Sequence, residues 1–232
     1  MKVYAVILGA GGGTRMGGSV PKQFINLAGR PVIAHTLEAF STHDGIDHIL
    51  VVTHPEYIEK TREIIEQYNI SKVIDVIQGG RERFDSSYIA VKSLNCDDDD
   101  ILIIHDAVRP FITHRIIDDC IKYTAEHGAT DVAVRTTDTI AEVDDGFVTA
   151  IPRRSRLYNG QTPQSFRYKI ILDAHQRARK EGFVETTDDV TLVLRTGRKV
   201  KLVDGDYENI KLTTALDIEL AETIARRRFA EK

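Results

Sequence analysis

A glycine-rich segment near the amino terminus contains the residues best suited to chemistry in this chain. It follows the apolar run Val3–Leu8, reads Leu8-Gly9-Ala10-Gly11-Gly12-Gly13-Thr14-Arg15-Met16, and is followed by Pro21-Lys22-Gln23. The apolar run predicts a buried strand, and a glycine-rich turn after a strand lets backbone N–H groups surround phosphates. Because the cations Arg15 and Lys22 lie in or beside this turn, we predict a binding site for a nucleoside triphosphate.

Two known nucleotide-binding motifs and a ligand-free loop are the alternatives for this segment. A P-loop needs glycine, four residues and then Gly-Lys-Ser/Thr, and the chain has no such run. A dinucleotide fingerprint needs Gly-x-Gly-x-x-Gly, but Thr14 stands where the third glycine belongs. The second predicted strand also ends in Thr53-His54-Pro55, without an acid for a ribose. A nicotinamide-dependent oxidoreductase is therefore the more distant alternative, and a flexible loop without ligand stays open.

Two further motifs follow predicted strands, at the edge where open α/β sheets bind ligands. In Gln78-Gly79-Gly80-Arg81-Glu82-Arg83-Phe84-Asp85-Ser86, the paired glycines allow close backbone approach and the Ser86 hydroxyl suits a base or a ribose. In His105-Asp106-Ala107-Val108-Arg109-Pro110, Asp106 is a candidate Mg²⁺ ligand and Arg109 a candidate phosphate ligand. A plain turn at the first motif and a structural Asp106–Arg109 pair at the second are the alternatives. We expect His105 to be structural.

A dispersed set of polar residues predicts a second phosphorylated ligand. It comprises Arg153, Arg154 and Arg156, the segment Gly160-Gln161-Thr162-Pro163-Gln164-Ser165-Phe166, Thr187-Asp188-Asp189 and Asn209-Ile210-Lys211. Two anionic ligands beside Mg²⁺ suit nucleotidyl transfer, which needs alignment and charge neutralisation more than covalent work from the protein. A non-catalytic nucleotide sensor is the alternative from another class.

Composition limits the remaining possibilities. The chain has 232 residues, of which 42% are hydrophobic and 28% charged, with a net charge of -4. This length predicts one domain over residues 1–232, and the negative balance disfavours nucleic-acid binding. Cys96 and Cys120 form no C-x-x-C pair, so neither a zinc site nor a redox motif is indicated. No apolar run approaches the ~18–20 residues of a membrane span, and no signal peptide is evident, so we expect a cytoplasmic protein.

Alternating strand-like and helix-like segments predict an α/β fold with a Rossmann-like, mostly parallel sheet and helices on both faces. Strands are predicted at Val3–Leu8, Ile49–Thr53, Val73–Ile77, Ile101–Ile104, Asp131–Arg135 and Val200–Val203. Helices are predicted at Pro31–Phe40, Pro55–Tyr68, Asp85–Leu94, Thr113–His127, Tyr168–Lys180, Asp188–Leu194 and Thr213–Arg228. Asp144-Asp145-Gly146 predicts a β-hairpin between Thr139–Val143 and Phe147–Ile151. We call residues 138–157 the arm. Such a hairpin either reaches a partner or is a simple edge hairpin.

Together these motifs resemble one cytidylyltransferase family over nearly the whole chain. The family contains 2-C-methyl-D-erythritol 4-phosphate and D-ribitol-5-phosphate cytidylyltransferases. The resemblance is carried, in order and spacing, by Gly9–Met16, Pro21-Lys22-Gln23, Gly79-Gly80, Arg83, Asp85-Ser86, His105–Pro110, Gln161–Gln164 and Asn209–Lys211. It implies a fold like that of the nucleotide-diphospho-sugar transferases, a reaction of CTP with a polyol phosphate, Mg²⁺ as cofactor, and a homodimer formed through the arm.

The resemblance also implies roles for single residues. The catalytic residues would be Arg15, Lys22 and Lys211, and the metal ligand Asp106. The nucleotide-binding residues would be Gly9, Ala10, Gly11, Gly12, Gly13, Thr14, Gly80, Arg83, Ser86 and Ala107. The substrate-binding residues would be Arg109, Thr139, Arg154 and Thr187, of which Thr139 and Arg154 would reach the site of a partner subunit.

The two branches of the family divide the remaining motifs. Thr187-Asp188-Asp189-Val190 and Val203–Asn209 fit the methylerythritol branch, whereas 113–117 and 158–166 look like the ribitol branch. Arg81 departs from both, because an acidic residue is common near the base at that position. Mainly because Gly160 precedes the Gln-Thr-Pro-Gln motif, we expect D-ribitol 5-phosphate as acceptor, for a teichoic-acid type of polymer, with 2-C-methyl-D-erythritol 4-phosphate of isoprenoid biosynthesis as the alternative.

Overall fold

A computed structural model describes residues 1–11, 20–183 and 186–229. Within these ranges the main sheet contains β1 (Val3–Gly9), β4 (His48–Thr53), β5 (Val73–Gln78), β6 (Ile101–Asp106), β7 (Ala129–Arg135), β10 (Tyr158–Arg167) and β11 (Lys201–Asp204). The strand order is β11-β7-β10-β6-β1-β4-β5. Only β10 among these strands runs antiparallel to its neighbours. The predicted mostly parallel α/β sheet is confirmed.

Helices cover both faces of this sheet. They are α1 (Val32–Ser41), α2 (Ile58–Gln67), α3 (Arg83–Ser93), α4 (His114–His127), α5 (Tyr168–Lys180), α6 (Val190–Arg195) and α7 (Ala215–Phe229). Alternate residues of β1 point to opposite faces, as in any strand. Thus Ala5 packs with α1, α2 and α4, whereas Val6 packs with α3, α5 and α6. Helix α7 forms a third cluster with β2 (Asn26–Leu27), which pairs with β3 (Arg30–Pro31).

Local sequence signals account for the start of α4 and of α7 and for the end of α4. The Thr113 hydroxyl caps α4 by accepting from the Ile116 N–H at 3.4 Å. At α7, the Thr214 hydroxyl accepts from Asp217 N–H while the Asp217 carboxylate accepts from Thr214 N–H, which is the reciprocal capping box. Gly128 ends α4 in the left-handed conformation at φ 84°.

The arm contains a two-stranded sheet, β8 (Glu142–Asp144) and β9 (Phe147–Ala150), separate from the main sheet. Asp145 and Gly146 both have positive φ, 46° and 81°, as a type I′ hairpin turn requires. Every residue of both strands is exposed.

The prediction missed β10, because the sequence analysis assigned no strand to this segment. Its ten residues include Gly160 and a cis Pro163, and they lack an alternating apolar pattern. The strand forms because β6 and β7 on either side supply its backbone partners. None of the helices in the three described ranges is long and apolar enough to cross a membrane.

Candidate active site

The carboxyl ends of β1, β5 and β6 surround a cavity of about 450 Å³. Among its lining residues are nine that the sequence analysis selected: Gly9, Ala10, Gly11, Lys22, Gly80, Arg83, Ser86, Asp106 and Lys211. Because parallel strands end at the same edge, residues far apart in sequence converge there. Arg15, Gly12, Gly13 and Thr14 lie outside the described residues.

Close backbone contacts build the floor of this cavity. An added Cβ at Gly79 would lie 2.4 Å from Ala10 Cβ, and one at Gly80 would lie 2.3 Å from Asp85 Cβ. At Gly9 the nearest atom would be Ala107 Cβ, at 3.2 Å. These distances fall below ordinary carbon–carbon contact. The glycines therefore let the turns after β1 and β5 touch, which brings Ser86 beside Gly80, whose N–H donates to the Ser86 hydroxyl at 3.1 Å.

A short 3-10 turn, Lys22–Phe24, brings a cation to the rim of the cavity. The buried Gln23 side chain holds this turn by donating from Nε2 to the Gly9 carbonyl at 2.7 Å. Lys22 Nζ donates to the carbonyl of Thr213, which lines the opposite side. The sequence analysis missed the role of Gln23, although the residue stood in the quoted Pro21-Lys22-Gln23 motif.

Three cations surround the Asp106 carboxylate at the end of β6. Lys211 Nζ lies 2.9 Å from Oδ2, Arg83 Nε 3.5 Å from Oδ1, and Arg109 Nε 3.7 Å from Oδ2. Burial opposes ionisation of Asp106, but Arg83, Lys211 and Arg109 outweigh it and hold its pKa well below the usual range. Asp106 is therefore ionised at all physiological pH values, which a metal ligand requires.

Arg83 is held by a second carboxylate, that of Asp189, which the sequence analysis named only within the Thr187-Asp188-Asp189 motif and gave no role of its own. Its Nη1 donates to Asp189 Oδ2 at 2.7 Å. The buried Asp189 also accepts from the Ser87 hydroxyl at 2.5 Å, and His175 Nε2 lies 3.3 Å from its Oδ1. Burial lowers the pKa of Arg83, but Asp189 and Asp106 outweigh it and raise that pKa overall. Asp189 thus fixes Arg83, a residue of the cavity wall, from behind.

A hydrogen-bonded chain fixes the loop that follows β6. His105 lies against the Arg109 carbonyl through Nε2, at 3.0 Å, and against the Thr162 hydroxyl through Nδ1, at 3.0 Å. Because a carbonyl only accepts, Nε2 bears the hydrogen and Nδ1 accepts from Thr162. The Thr162 hydroxyl in turn accepts from the Asp106 N–H at 3.1 Å. Burial lowers the pKa of His105 to about 4, so the ring is neutral and structural, as expected.

The segment that carries Lys211 is bound to the same loop. Arg109 Nη1 donates to the Asn209 carbonyl at 2.8 Å, and Leu212 N–H donates to the Val108 carbonyl at 3.0 Å. The Asn209 side chain donates to the Thr162 carbonyl at 2.9 Å. These contacts bring Arg109 and Lys211 to one side of Asp106, and burial lowers the pKa of Arg109.

Five of the selected residues do not line the cavity. Ala107 and Arg109 are buried beside it, Thr187 is exposed on the loop before α6, and Thr139 and Arg154 belong to the exposed arm. The Arg154 side chain donates to the carbonyl of Thr137, the residue directly before the arm, at 3.3 Å. Gly160, which led us to expect the ribitol branch, is exposed in β10 and does not line the cavity either.

Known proteins resemble this chain over almost its entire length. The sequence profile of IspD, 2-C-methyl-D-erythritol 4-phosphate cytidylyltransferase, matches residues 3–227. A relative of that name from Clostridium botulinum is 42% identical over 97% of this chain and 98% of its own. Another from Geotalea uraniireducens is 43% identical over the full length of both. The chain belongs to this cytidylyltransferase family. It is therefore an enzyme of the nucleotidyltransferase class.

Solved structures of the cytidylyltransferase family share the fold. The chain is similar to 4-diphosphocytidyl-2C-methyl-D-erythritol synthase from Anaerococcus prevotii, with a TM-score of 0.86, 30% identity, and 97% and 96% of the two chains covered. It is also similar to the 2-C-methyl-D-erythritol 4-phosphate cytidylyltransferase of Francisella tularensis, with a TM-score of 0.82, 28% identity, and 96% and 99% covered.

These findings correct the expected acceptor. We expected D-ribitol 5-phosphate and a teichoic-acid polymer, but the full-length relatives at about 42% identity are named for the methylerythritol branch. The ribitol expectation was wrong; it depended mainly on Gly160, and also on 113–117 and the rest of 158–166. Gly160 pairs with Ala133 in β7, and 113–117 begin α4. Neither Gly160 nor 113–117 lines the cavity, so the cavity gives the ribitol interpretation no support.

Proposed function

We propose that this enzyme transfers the cytidylyl group of CTP to 2-C-methyl-D-erythritol 4-phosphate, a step of isoprenoid biosynthesis. The convergence of Lys22, Arg83 and Lys211 on one cavity at the carboxyl ends of the parallel strands is the observation that carries the proposal. The names of the relatives supply the acceptor.

The transfer is a displacement at phosphorus. An oxygen of the acceptor phosphate forms a bond to the α-phosphorus of CTP, and the bond from that phosphorus to the bridging oxygen breaks. Pyrophosphate leaves with the electron pair. Such a step needs two anions held in line and neutralisation of the charge that develops on the phosphoryl oxygens.

Different residues around the cavity would bind the different parts of the two substrates. We assign the turn Gly9–Gly11, together with Gly80 and Ser86, to the nucleoside, and Lys22 with Arg15 to the triphosphate. We assign Arg109 and Lys211 to the acceptor phosphate. The buried Arg83 Nη2 has no hydrogen-bond partner among the described residues. A phosphate oxygen would satisfy this donor, and an unsatisfied buried donor is otherwise costly.

The residues of the cavity fit a divalent cation only if the substrates supply the rest of its coordination shell. Asp106 supplies one ionised carboxylate at the cavity wall, and the described residues contain no cluster of three or more His, Cys, Asp or Glu side chains for a metal. Mg²⁺ commonly binds one or two carboxylates together with phosphates and water. A bound Mg²⁺ would neutralise phosphate charge. Lys211, whose side chain is 42% exposed, would have to share Asp106 with it.

The arm supports a homodimer as a further part of the proposal. Five of its apolar residues are exposed: Ile140, Val143, Phe147, Val148 and Ile151. So many exposed apolar side chains on one short segment favour an interaction site. We propose that the arm packs on a second copy and brings Thr139 and Arg154 to the partner's cavity.

The acceptor assignment is tested by pyrophosphate release. Enzyme, CTP and Mg²⁺ are incubated with methylerythritol phosphate or with ribitol 5-phosphate in parallel, and UTP replaces CTP in a third series. We expect release with CTP and methylerythritol phosphate, and its near-complete loss in a Lys22→Ala variant whose circular dichroism is unchanged. Faster release with ribitol 5-phosphate would contradict the acceptor assignment, and an unchanged rate in Lys22→Ala would contradict the catalytic role of this lysine.

The shared site is tested by complementation. Arg15→Ala and Arg154→Ala chains, each weakly active alone, should recover part of the activity when mixed, because one site of the heterodimer is intact. Sedimentation of Phe147→Asp should show monomers, whereas Ile74→Asp, an exposed change outside the arm, should not. Verified heterodimers without recovery would contradict a composite site.

A further inference from the structure

Arg228, near the end of α7, joins two segments that carry residues of the candidate site. Its Nε donates to Glu208 Oε2 at 2.7 Å and its Nη2 to Asp206 Oδ2 at 3.0 Å. Its Nη1 donates to the Phe111 carbonyl at 2.8 Å. Three acceptors on two chain segments therefore share one planar guanidinium, which presents its donors in a fixed fork.

Both segments lead directly into the cavity. Phe111 follows Arg109 by two residues, and Glu208 precedes Lys211 by three. Within the second segment the Asn209 N–H donates to the Asp206 carbonyl at 2.9 Å, and the Asn209 carbonyl accepts from Arg109 Nη1. A shift of the loop at 206–209 would therefore also move the Arg109 guanidinium and Lys211.

We propose that Arg228 is a positioning residue for the acceptor side of the site. It is not part of the cavity lining, and it holds the 106–111 and 206–211 segments together from outside. The proposal rests on the proposed function, because it assigns Arg109 and Lys211 to the acceptor phosphate. Without Arg228, the Asp206 and Glu208 carboxylates lose a shared cation, and the Phe111 carbonyl loses the hydrogen bond from Arg228 Nη1.

The loss of Arg228 should affect the nucleotide side of the cavity much less than the acceptor side. Leu212 N–H donates to the Val108 carbonyl, and the Thr213 N–H and hydroxyl both donate to Asp217 at 2.7 and 2.8 Å. These bonds hold the Thr213 carbonyl, and with it Lys22, independently of the loop at 206–209. The effect of losing Arg228 should therefore appear in acceptor binding before it appears in CTP binding.

Steady-state kinetics of three variants test the proposal. Arg228→Ala removes the fork, Arg228→Lys keeps the charge, and Arg226→Ala is the matched control, since Arg226 bonds only to Glu222 of its own helix among the described residues. We expect Arg228→Ala to raise KM for methylerythritol phosphate about tenfold, because small displacements of positioning groups carry penalties of that size. KM for CTP should change less than about twofold, and Arg228→Lys should lie between.

A structural readout separates this proposal from the proposed function. Hydrogen exchange of the Asn209 and Leu212 amides should show faster exchange at Asn209 in Arg228→Ala, with Leu212 unchanged, and neither should change in Arg226→Ala. An equal rise of both KM values, or unchanged exchange at Asn209, would overturn the positioning role. If the wild-type enzyme shows no turnover with methylerythritol phosphate, the proposed function fails, and the exchange result still decides whether Arg228 holds the loop.

Discussion

Replacement of Gly79 by alanine is the sharpest test of how the cavity floor is built. Gly79 follows β5, and its N–H donates to the Thr53 carbonyl at 2.8 Å. An alanine Cβ there would lie 2.4 Å from Ala10 Cβ, 2.8 Å from Ser86 Oγ and 3.1 Å from Val52 Cγ1. Nonbonded carbon atoms approach to ~3.5–4.0 Å, so the turns after β1 and β5 would have to separate by about 1 Å.

Two magnitudes follow from this displacement. Overpacking of a rigid contact costs about 1–3 kcal/mol of unfolding free energy, which for a chain of this size lowers Tm by about 2–4 °C per kcal/mol. Ala10 and Ser86 both line the cavity, and a misplacement of about 1 Å reduces kcat/KM by up to ~100-fold. Because Ala10 and Ser86 are assigned to the nucleoside, KM for CTP should rise.

Thermal unfolding and initial rates at varied CTP measure both effects. Gly160→Ala is the matched control, because among the described residues, apart from its two chain neighbours, no atom lies within 4 Å of its added Cβ, and its φ is not positive. This control should keep both stability and rate. A Gly79→Ala enzyme with wild-type Tm and wild-type KM for CTP would refute the argument that these turns need glycine for contact.

The remaining predictions concern two carboxylates, the buried Asp189 and the half-buried Asp131. Asp189→Asn should lower turnover and destabilise the protein by about 1–3 kcal/mol, because the half-buried Arg83 guanidinium loses the closer of its two carboxylate partners; rates and urea unfolding measure this, and a fully active variant would contradict it. Burial raises the pKa of Asp131 to about 6, although Gln164 donates to it. Since the folded state favours the protonated form, this carboxyl weakens the fold as pH rises through about 6. Asp131→Asn should therefore be more stable than wild type by up to about 2 kcal/mol at pH 8 and lose that advantage below about pH 4, as unfolding across pH would show.

Most of the fold could be predicted because its apolar periodicities are strong. β1 and the first four residues of β6, Ile101–Ile104, are apolar runs that the sheet buries on both faces, as is typical of parallel strands. The exception is β10, in which Gln161, Thr162, Gln164 and Ser165 are all buried. Their burial depends on partners distant in sequence, such as Asp206 for Gln161, and no local pattern contains that information.

Some residues of the candidate site could likewise be predicted from the sequence, and others could not. Residues in turns after strands could be predicted, because the ends of parallel strands meet whatever lies between them in sequence. Asp189 could not, since its role depends on Arg83, 106 positions away. The sequence did offer a signal there, Thr187-Asp188-Asp189, but nothing local distinguishes the buried acid from the neighbouring Asp188, whose side chain is half-buried at the surface.

The balance of charge around Asp106 explains how a chain of net charge -4 can bind two anions. Arg83, Arg109 and Lys211 face one another across two carboxylates, Asp106 and Asp189, so the cluster retains an excess positive charge. Cations gathered around the same carboxylate repel one another strongly where water is excluded. The two carboxylates offset most of this repulsion, so the chain can fold with the three cations close together. A substrate phosphate would neutralise the positive charge that remains. Removing the carboxylate of Asp106 should therefore harm folding as well as catalysis, whereas removing Lys211 should spare folding.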